Sequence, residues 1–191
     1  MTIKHPDNAF WSEVKLPKEL MDHAWSMIEI AKIDRRNAKT KLAGHNTASY
    51  DLPDDGGLLC KYFLEASKEL TFAWNPDLAV RELWVNFQKK GEFNPIHRHA
   101  GVMSFVLWVQ IPYKYKDECE LETARNISIK PCGGSFQFVT TSIEGHVGFY
   151  DYNLDPTYNG TAVIFPAGLN HQVYPFFTSD EDRISIAGNI Y

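Results

Sequence analysis

The chain has 191 residues, 44% of them hydrophobic and 23% charged, with a formal net charge of −5. These are ordinary values for one soluble globular domain, and the acidic balance argues against a general nucleic-acid binder, whose footprint is usually basic. No run approaches the roughly eighteen apolar residues of a membrane span, and the opening Met-Thr-Ile-Lys-His-Pro lacks the apolar core of a signal peptide.

Residues 1–15 are mixed in character and read as a surface segment or cap. Leu16-Pro17-Lys18-Glu19 has the form of a helix start, with proline in the first turn. Leu20, Ala24, Met27, Ile28 and Ala31 then keep helical spacing to about Asp34. Residues 35–57 are polar and turn-rich. A second helix is expected from Leu58 to Phe72, with Leu59, Phe63, Ala66 and Leu70 on one face and Asn75-Pro76 ending it. The three cysteines, Cys60, Cys119 and Cys132, include no C-x-x-C pair; an odd, scattered set implies reduced thiols and a cytoplasmic location.

From Val80 the character changes to β. Leu83, Val85 and Phe87 alternate with Trp84, Asn86 and Gln88, a period of two. Met103–Ile111 is a continuous apolar run, as expected of a strand covered on both faces. Further strands are expected around Leu121–Lys130, Ser135–Thr140, Val147–Tyr152, Thr161–Phe165, His171–Phe176 and Arg183–Ile190, with Asn153–Gly160 as a turn or loop. The fold expected is mainly β: a double-stranded β-helix, or jelly roll, with two N-terminal buttressing helices. It forms a single domain, residues 1–79 being a helical extension and 80–191 the β core.

Two stretches carry chemistry. Gly91-Glu92-Phe93-Asn94-Pro95-Ile96-His97-Arg98-His99 sets two histidines one residue apart, and on a strand such residues point to one face. Gly160-Thr161-Ala162-Val163-Ile164-Phe165-Pro166-Ala167-Gly168-Leu169-Asn170-His171 delivers a third. Imidazole ligands suit iron, zinc, copper or nickel, and suit magnesium poorly. The paired motifs match the two-motif pattern of cupins, although no acid lies within Ala100–Ser104, where a cupin often has a glutamate. Arg183-Ile184-Ser185 follows. A guanidinium beside a hydroxyl on one strand face is a good receptor for a carboxylate, while a surface pair with Asp180, Glu181 or Asp182 is the plainer alternative.

Asn94-Pro95-x-His97-x-His99-x-Gly101-x2-Ser104-Phe105-Val106 resembles the first half of the 2-oxoglutarate/Fe(II) oxygenases common in bacteriophage genomes, relatives of the prolyl 4-hydroxylases. Phe165-Pro166-x2-Leu169-x-His171-x-Val173-x-Pro175 and Arg183-Ile184-Ser185-Ile186-Ala187-x-Asn189 resemble the second half. The resemblance covers about residues 84–190. It implies a dioxygenase, in particular a hydroxylase, that couples oxidative decarboxylation of 2-oxoglutarate by O2 to oxidation of a substrate. His97 and His171 would then be iron ligands, and Arg183 and Ser185 would hold the distal carboxylate of 2-oxoglutarate. Such enzymes carry Asp or Glu where this chain has His99. Either His99 makes a three-histidine site for Fe(II), or it is no ligand, or a distant acid takes that place.

Trp108 falls near where relatives set an aromatic beside the cosubstrate, and is otherwise a core tryptophan. Asn86 and Gln88 line the same cavity or face solvent, and His45 and His146 read as exposed loop residues. Residues 144–158 form a lid or an ordinary hairpin. The substrate is a protein side chain, a nucleobase or a small molecule, with no membrane partner; a homodimer is compatible with the sequence. For a phage-encoded chain the location would be the host cytoplasm. Two other readings stay open: a cupin-type three-histidine dioxygenase without 2-oxoglutarate, and a non-catalytic, virion-associated jelly-roll module.

Overall fold

The computed structural model describes residues 1–4, 9–39, 42–54, 56–70 and 77–191. Among these, the elements begin with β1 (Thr2–Lys4), β2 (Trp11–Lys15), α1 (Lys18–Asp34), β3 (Ala48–Asp51), α2 (Leu58–Lys68) and β4 (Val80–Gln88). They continue with β5 (Asn94–His97), β6 (Met103–Gln110), α3 (Tyr115–Cys119), β7 (Phe136–Thr141), β8 (Val147–Tyr152), β9 (Thr161–Pro166), β10 (His171–Val173) and β11 (Arg183–Ile190). The strands form a larger sheet, ordered β1-β2-β9-β6-β11-β4-β3, and a smaller one, ordered β5-β10-β7-β8. Every pairing recorded is antiparallel. The result is a mainly β protein of two sheets with few helices.

Alternation along the larger sheet divides the interior in two. Val85, Phe87, Phe105, Leu107, Ile184 and Ile186 turn to one side, where α1 supplies Ala24 and Ile28 and α2 supplies Leu59 and Phe63. The Phe63 and Phe105 rings stack there at 3.8 Å. On the other side Trp108, Val163 and Phe165 meet Phe136 and Phe138 of the smaller sheet. The same period of two therefore sends Trp84, Asn86, Gln88, Arg183, Ser185 and Ala187 into the space between the sheets. Asp54 ties the two longer helices together: its side chain accepts from the Cys60 amide at 2.9 Å, early in α2, and meets His23 Nε2 of α1 at 2.6 Å.

Several expectations need correction. Residues 11–15 are a strand and not a surface cap: Trp11 is fully buried and β2 pairs with β9. Ser12, Glu13 and Lys15 put polar groups on both faces, which hides the period. The polar stretch 35–57 contains β3, which lies along β4 with Ser49 opposite Asn86. No strand forms over Leu121–Lys130; the chain makes a 3-10 turn at Glu122–Ala124 and Asn126 adopts a φ of 57°. Ile127 and Ile129 stay exposed there, so no buried apolar face holds an extended segment. The strand expected over His171–Phe176 stops at Val173, just before Pro175, which has no N–H for a ladder. Among the described residues, β1, β2 and β3 come before Val80, where no strand was expected; from Val80 onward there are eight, with β5 present and the one at Leu121–Lys130 absent. α2 ends at Lys68, and the part of the second-helix expectation over residues 71–76 lies outside the described residues.

Candidate metal centre and anion pocket

β5 lies at an edge of the smaller sheet, where a proline such as Pro95 is tolerated. It is antiparallel to β10, and the register makes His97 and His171 direct cross-strand partners. That pairing brings the two sequence motifs together. His97 ends its strand, so His99 lies beyond it and not on it, as the His-x-His spacing suggested. A backbone bond from His99 N to Ala167 O (2.9 Å) holds the loop back over the site. Gly101 completes the loop at a φ of 100°; a Cβ there would stand 2.6 Å from the Ile190 carbonyl oxygen. A side chain is excluded both by the left-handed backbone and by that contact.

The three imidazoles offer ligand atoms that all lie within 4.8 Å of one another, with no carboxylate or thiol in the cluster among the described residues. Ring centroids are 4.2 Å apart for His97 and His171, and 5.1 Å for His99 with each of them. His97 Nδ1 is 2.7 Å from the Pro95 carbonyl and His171 Nδ1 is 2.9 Å from that of Leu169. A carbonyl only accepts, so both Nδ1 atoms carry the proton and both Nε2 lone pairs are left for a cation. The same bonds fix ring orientation, as outer partners of metal-binding histidines commonly do.

Burial holds all three rings neutral. It lowers the His97 pKa and puts that of His171 well below the ordinary value, with His97 adding repulsion at His171. At His99, burial and the neighbouring His97 bring the pKa to about 4, against a weaker upward pull from Glu82. Neutral imidazoles are the form a divalent metal needs, so the donor set fits Fe(II). Folded pKa values below the usual 6.5 mean that the unfolded chain binds more protons in acid. The metal-free protein should therefore lose stability as pH falls from about 6.5 toward about 4, the value reached at His99. Thermal unfolding across that window should show a shallower pH slope in His99→Gln; an unchanged slope would mean the ring does not titrate with folding.

A second row of side chains faces the histidines. The registers of β4, β11 and β6 place Asn86, Ser185 and Trp108 side by side, with Gln88 opposite Arg183 one row on. All five line the cavity that holds the three imidazoles. Asn86 is fixed by a 2.8 Å bond from Ser49 Oγ to its Oδ1, and Gln88 is tied to the Glu92 carbonyl. Trp108 borders the cavity and packs against Phe136, Tyr152 and Tyr158.

Arg183 is 2% exposed. Its Nη1 donates to Tyr113 Oη at 2.5 Å and Gly134 O at 3.2 Å, and its Nη2 to Tyr174 O at 3.0 Å. Phe176 and Tyr113 lie under the guanidinium at 5.5 and 5.7 Å. These partners are neutral, and among the described residues no carboxylate forms an ion pair with Arg183; Asp180 pairs with Lys90 instead. A buried cation with only neutral partners is left short of counter-charge, which an anion would supply.

Sequence reasoning missed Tyr113, Tyr174, Phe176 and Glu118, because nothing local signals a pocket built from three separate loops. Glu118 is buried in α3 and accepts from the backbone N–H of Phe177 (2.9 and 3.0 Å) and Thr178 (2.8 Å), and from Thr178 Oγ1 at 2.6 Å. It thereby anchors the loop that carries Tyr174 and Phe176. Glu118→Ala should cost on the order of 2–3 kcal/mol, since charge-assisted bonds are lost and buried donors left unpaired. Chemical denaturation measures this, and a cost under about 0.5 kcal/mol would show the anchor to be dispensable.

His45 stacks on Phe93 at 4.6 Å, while His146 sits in the tight turn between β7 and β8; neither borders the cavity. None of residues 144–158 borders it either, and Tyr152 and Leu154 are embedded in the core between the sheets. That segment is a hairpin and core element. Among the described residues, no helix is long and apolar enough to cross a membrane.

Two sheets around neutral imidazoles and a buried, anion-seeking guanidinium have the make-up of a metal enzyme with an anionic cosubstrate. The model of a family described as "Putative 2OG-Fe(II) oxygenase" matches residues 82–189, more than half of the chain, and the chain belongs to that family. It is a 2-oxoglutarate- and Fe(II)-dependent oxygenase, with O2 as the other cosubstrate. The fold is similar to that of a Pseudomonas putida prolyl-4-hydroxylase, with a TM-score of 0.59, 18% identity, and 93% of this chain and 90% of that one covered. An oxidoreductase of the 2OG-Fe(II) oxygenase family from Burkholderia pseudomallei also aligns, with a TM-score of 0.48, 14% identity, and 93% and 83% covered. No curated protein matches the chain.

Proposed function

We propose that His97, His99 and His171 together hold the iron and that Arg183 and Ser185 hold the distal carboxylate of 2-oxoglutarate. The convergence of three neutral imidazoles beside a buried guanidinium that has no acidic partner among the described residues carries the reading. When bound, Fe(II) supplies the site for O2 chemistry that splits 2-oxoglutarate to succinate and CO2 and oxidises the substrate. The chain's own contribution is positional. Pro95 and Leu169 carbonyls fix the tautomers of two rings. Arg183, oriented by Tyr113 and Tyr174, presents its remaining N–H groups to a carboxylate, and Ser185 adds a hydroxyl. Asn86 has its carbonyl oxygen engaged by Ser49, which leaves its NH2 to donate to the cosubstrate. Trp108 and Phe136 form apolar wall and keep water from the site.

Three neutral ligands leave the full 2+ charge on the ion, and the 2-oxoglutarate dianion offsets it. Cosubstrate and metal should therefore bind with strong mutual dependence. The β core is read as a double-stranded β-helix, with α1 and α2 as its buttress, since their apolar faces fill the outer side of the larger sheet. Hydroxylation is the proposed outcome, and a reducing cytoplasm suits both ferrous iron and an odd cysteine count. The decisive experiment is an anaerobic titration of the Fe(II)-loaded protein with 2-oxoglutarate. A weak visible charge-transfer band should appear and saturate. Its absence, with iron bound, would favour a three-histidine dioxygenase that uses no 2-oxoglutarate.

A further inference from the structure

The cavity has a wall that the chemistry above does not use. Asn46 precedes β3 and Asn94 opens β5, and both border the same space as the three histidines. Asn46 is 3% exposed. The side-chain oxygens of both residues are buried and, among the described residues, have no hydrogen-bond partner. Gly44 lies between the two carboxamides: a Cβ on it would stand 2.5 Å from Asn94 Oδ1 and 3.0 Å from Asn46 Nδ2. Two polar groups are thus brought to one point, held apart from each other's hydrogen bonding, and kept clear by a missing side chain. Leaving a buried amide oxygen unpaired is costly, and native chains rarely do it without a use.

We propose that Asn46 and Asn94 recognise the oxidisable substrate, and that this substrate presents an uncharged, peptide-type amide beside the metal. The proposal rests on the assignment of the histidines and Arg183 above. An amide oxygen accepts only, so its partner must carry N–H or O–H. The 2-oxoglutarate dianion has no such donor at neutral pH, so it cannot partner the two oxygens in the orientation they take here. Among the described residues, Arg183 is the one permanently charged side chain on the cavity wall, and it is committed to the cosubstrate. A charged substrate group would then find no counter-ion, whereas an amide would be matched. An amide flip at either asparagine exchanges an acceptor for a donor, and a ligand amide, which has both, complements either arrangement. Asn94 and Val173 also border an apolar surface groove with Phe93, Ile96 and Pro175. A chain seated on Asn94 can continue outward along it, which favours a peptide over an isolated small amide.

The test uses N-acetylglycinamide as probe, with its fully N-methylated analogue as a control of the same frame without donors. Binding is followed by ligand-observed NMR on metal-loaded protein, with and without 2-oxoglutarate under nitrogen. The amide should bind and the methylated analogue should bind at least fivefold more weakly, the discrimination expected for a lost hydrogen bond. Asn46→Leu and Asn94→Leu should each reduce amide binding about fivefold to tenfold while leaving metal and 2-oxoglutarate affinity unchanged. Because an unpaired buried carboxamide is removed, Tm should rise, by roughly 2–4 °C. Gly44→Ala should abolish the amide discrimination by pushing the two carboxamides aside, and it reads out the same site if a leucine variant fails to fold.

Equal binding of the two probes, or amide binding indifferent to all three variants, would overturn the proposal. So would a fall in 2-oxoglutarate affinity in the asparagine variants, which would move these residues to the cosubstrate. Preferential binding of adenosine over the amide would replace the peptide by a nucleobase. A wild-type protein that binds the amide selectively but not 2-oxoglutarate would sink the cosubstrate assignment and leave the recognition wall standing.

Discussion

His171→Ala should lower Fe(II) affinity by more than about a hundredfold while the two sheets stay folded. Loss of an outer partner of a metal ligand already costs ten- to a hundredfold, and loss of the ligand itself should exceed that. His97→Ala should match it, because the two rings are cross-strand partners whose Nδ1 protons are both turned to backbone carbonyls. His99 is the informative member. It lies past the strand end, yet its ring is equally distant from the other two. His99→Ala should be as damaging as its neighbours, and His99→Asp should retain metal by restoring an anionic ligand. Competition against a chelator gives the affinities, and circular dichroism checks the fold. Wild-type affinity in both His97→Ala and His171→Ala would place the metal elsewhere, and wild-type affinity in His99→Ala alone would reduce the centre to two histidines. Low pH is a further control. Depressed proton affinity means that protons compete weakly with the metal, so binding should persist below pH 6.5 and fail only as pH approaches about 4.

The sequence carried the histidines well, because Gly91 to His99 and Gly160 to His171 are contiguous stretches. It carried β6 as a continuous apolar run, and β4 and β11 for a different reason. Their apolar residues fill one face, and the polar residues between them, Asn86, Gln88, Arg183 and Ser185, share the other. Period two then predicted both the core and the cavity lining. The failures share a cause as well. β2 and β3 lie toward the margins of the larger sheet, and their apolar alternation is interrupted by the polar residues Ser12, Ser49 and Asp51. Leu121–Lys130 has the apolar content of a strand without a neighbour to pair with. The groups that orient Arg183 were invisible, since Tyr113, Gly134 and Tyr174 meet only in three dimensions. Glu118 and Asn46 were missed for the opposite reason: isolated polar residues in loops look alike until burial and unpaired atoms separate them.

Arg183→Lys is expected to raise the 2-oxoglutarate requirement sharply with Fe(II) affinity nearly unchanged. Lysine keeps the charge and loses the planar fork. The geometry sharpens this expectation. Arg183 already donates to Tyr113 Oη, Gly134 O and Tyr174 O, so its guanidinium is clamped before any cosubstrate arrives. Three of the five N–H groups of the side chain are thereby used, and the others remain for an anion. A lysine ammonium has three donors and no plane, and cannot satisfy the same carbonyls while also gripping a carboxylate. Arg183→Ala should be worse still, since a charge-assisted bond is worth about 1.5–3 kcal/mol, or roughly ten- to a hundredfold in affinity. Ser185→Ala should be milder, about twofold to tenfold, because it removes a neutral partner. The measurements are 2-oxoglutarate affinity by anaerobic titration and its conversion to succinate, alongside Fe(II) affinity for each variant. Phe176→Leu is a useful companion: it removes a ring from beneath the guanidinium and should weaken cosubstrate binding less than any change at Arg183. If 2-oxoglutarate affinity were indifferent to Arg183→Ala in a protein that still binds iron, the anion pocket would serve a different ligand.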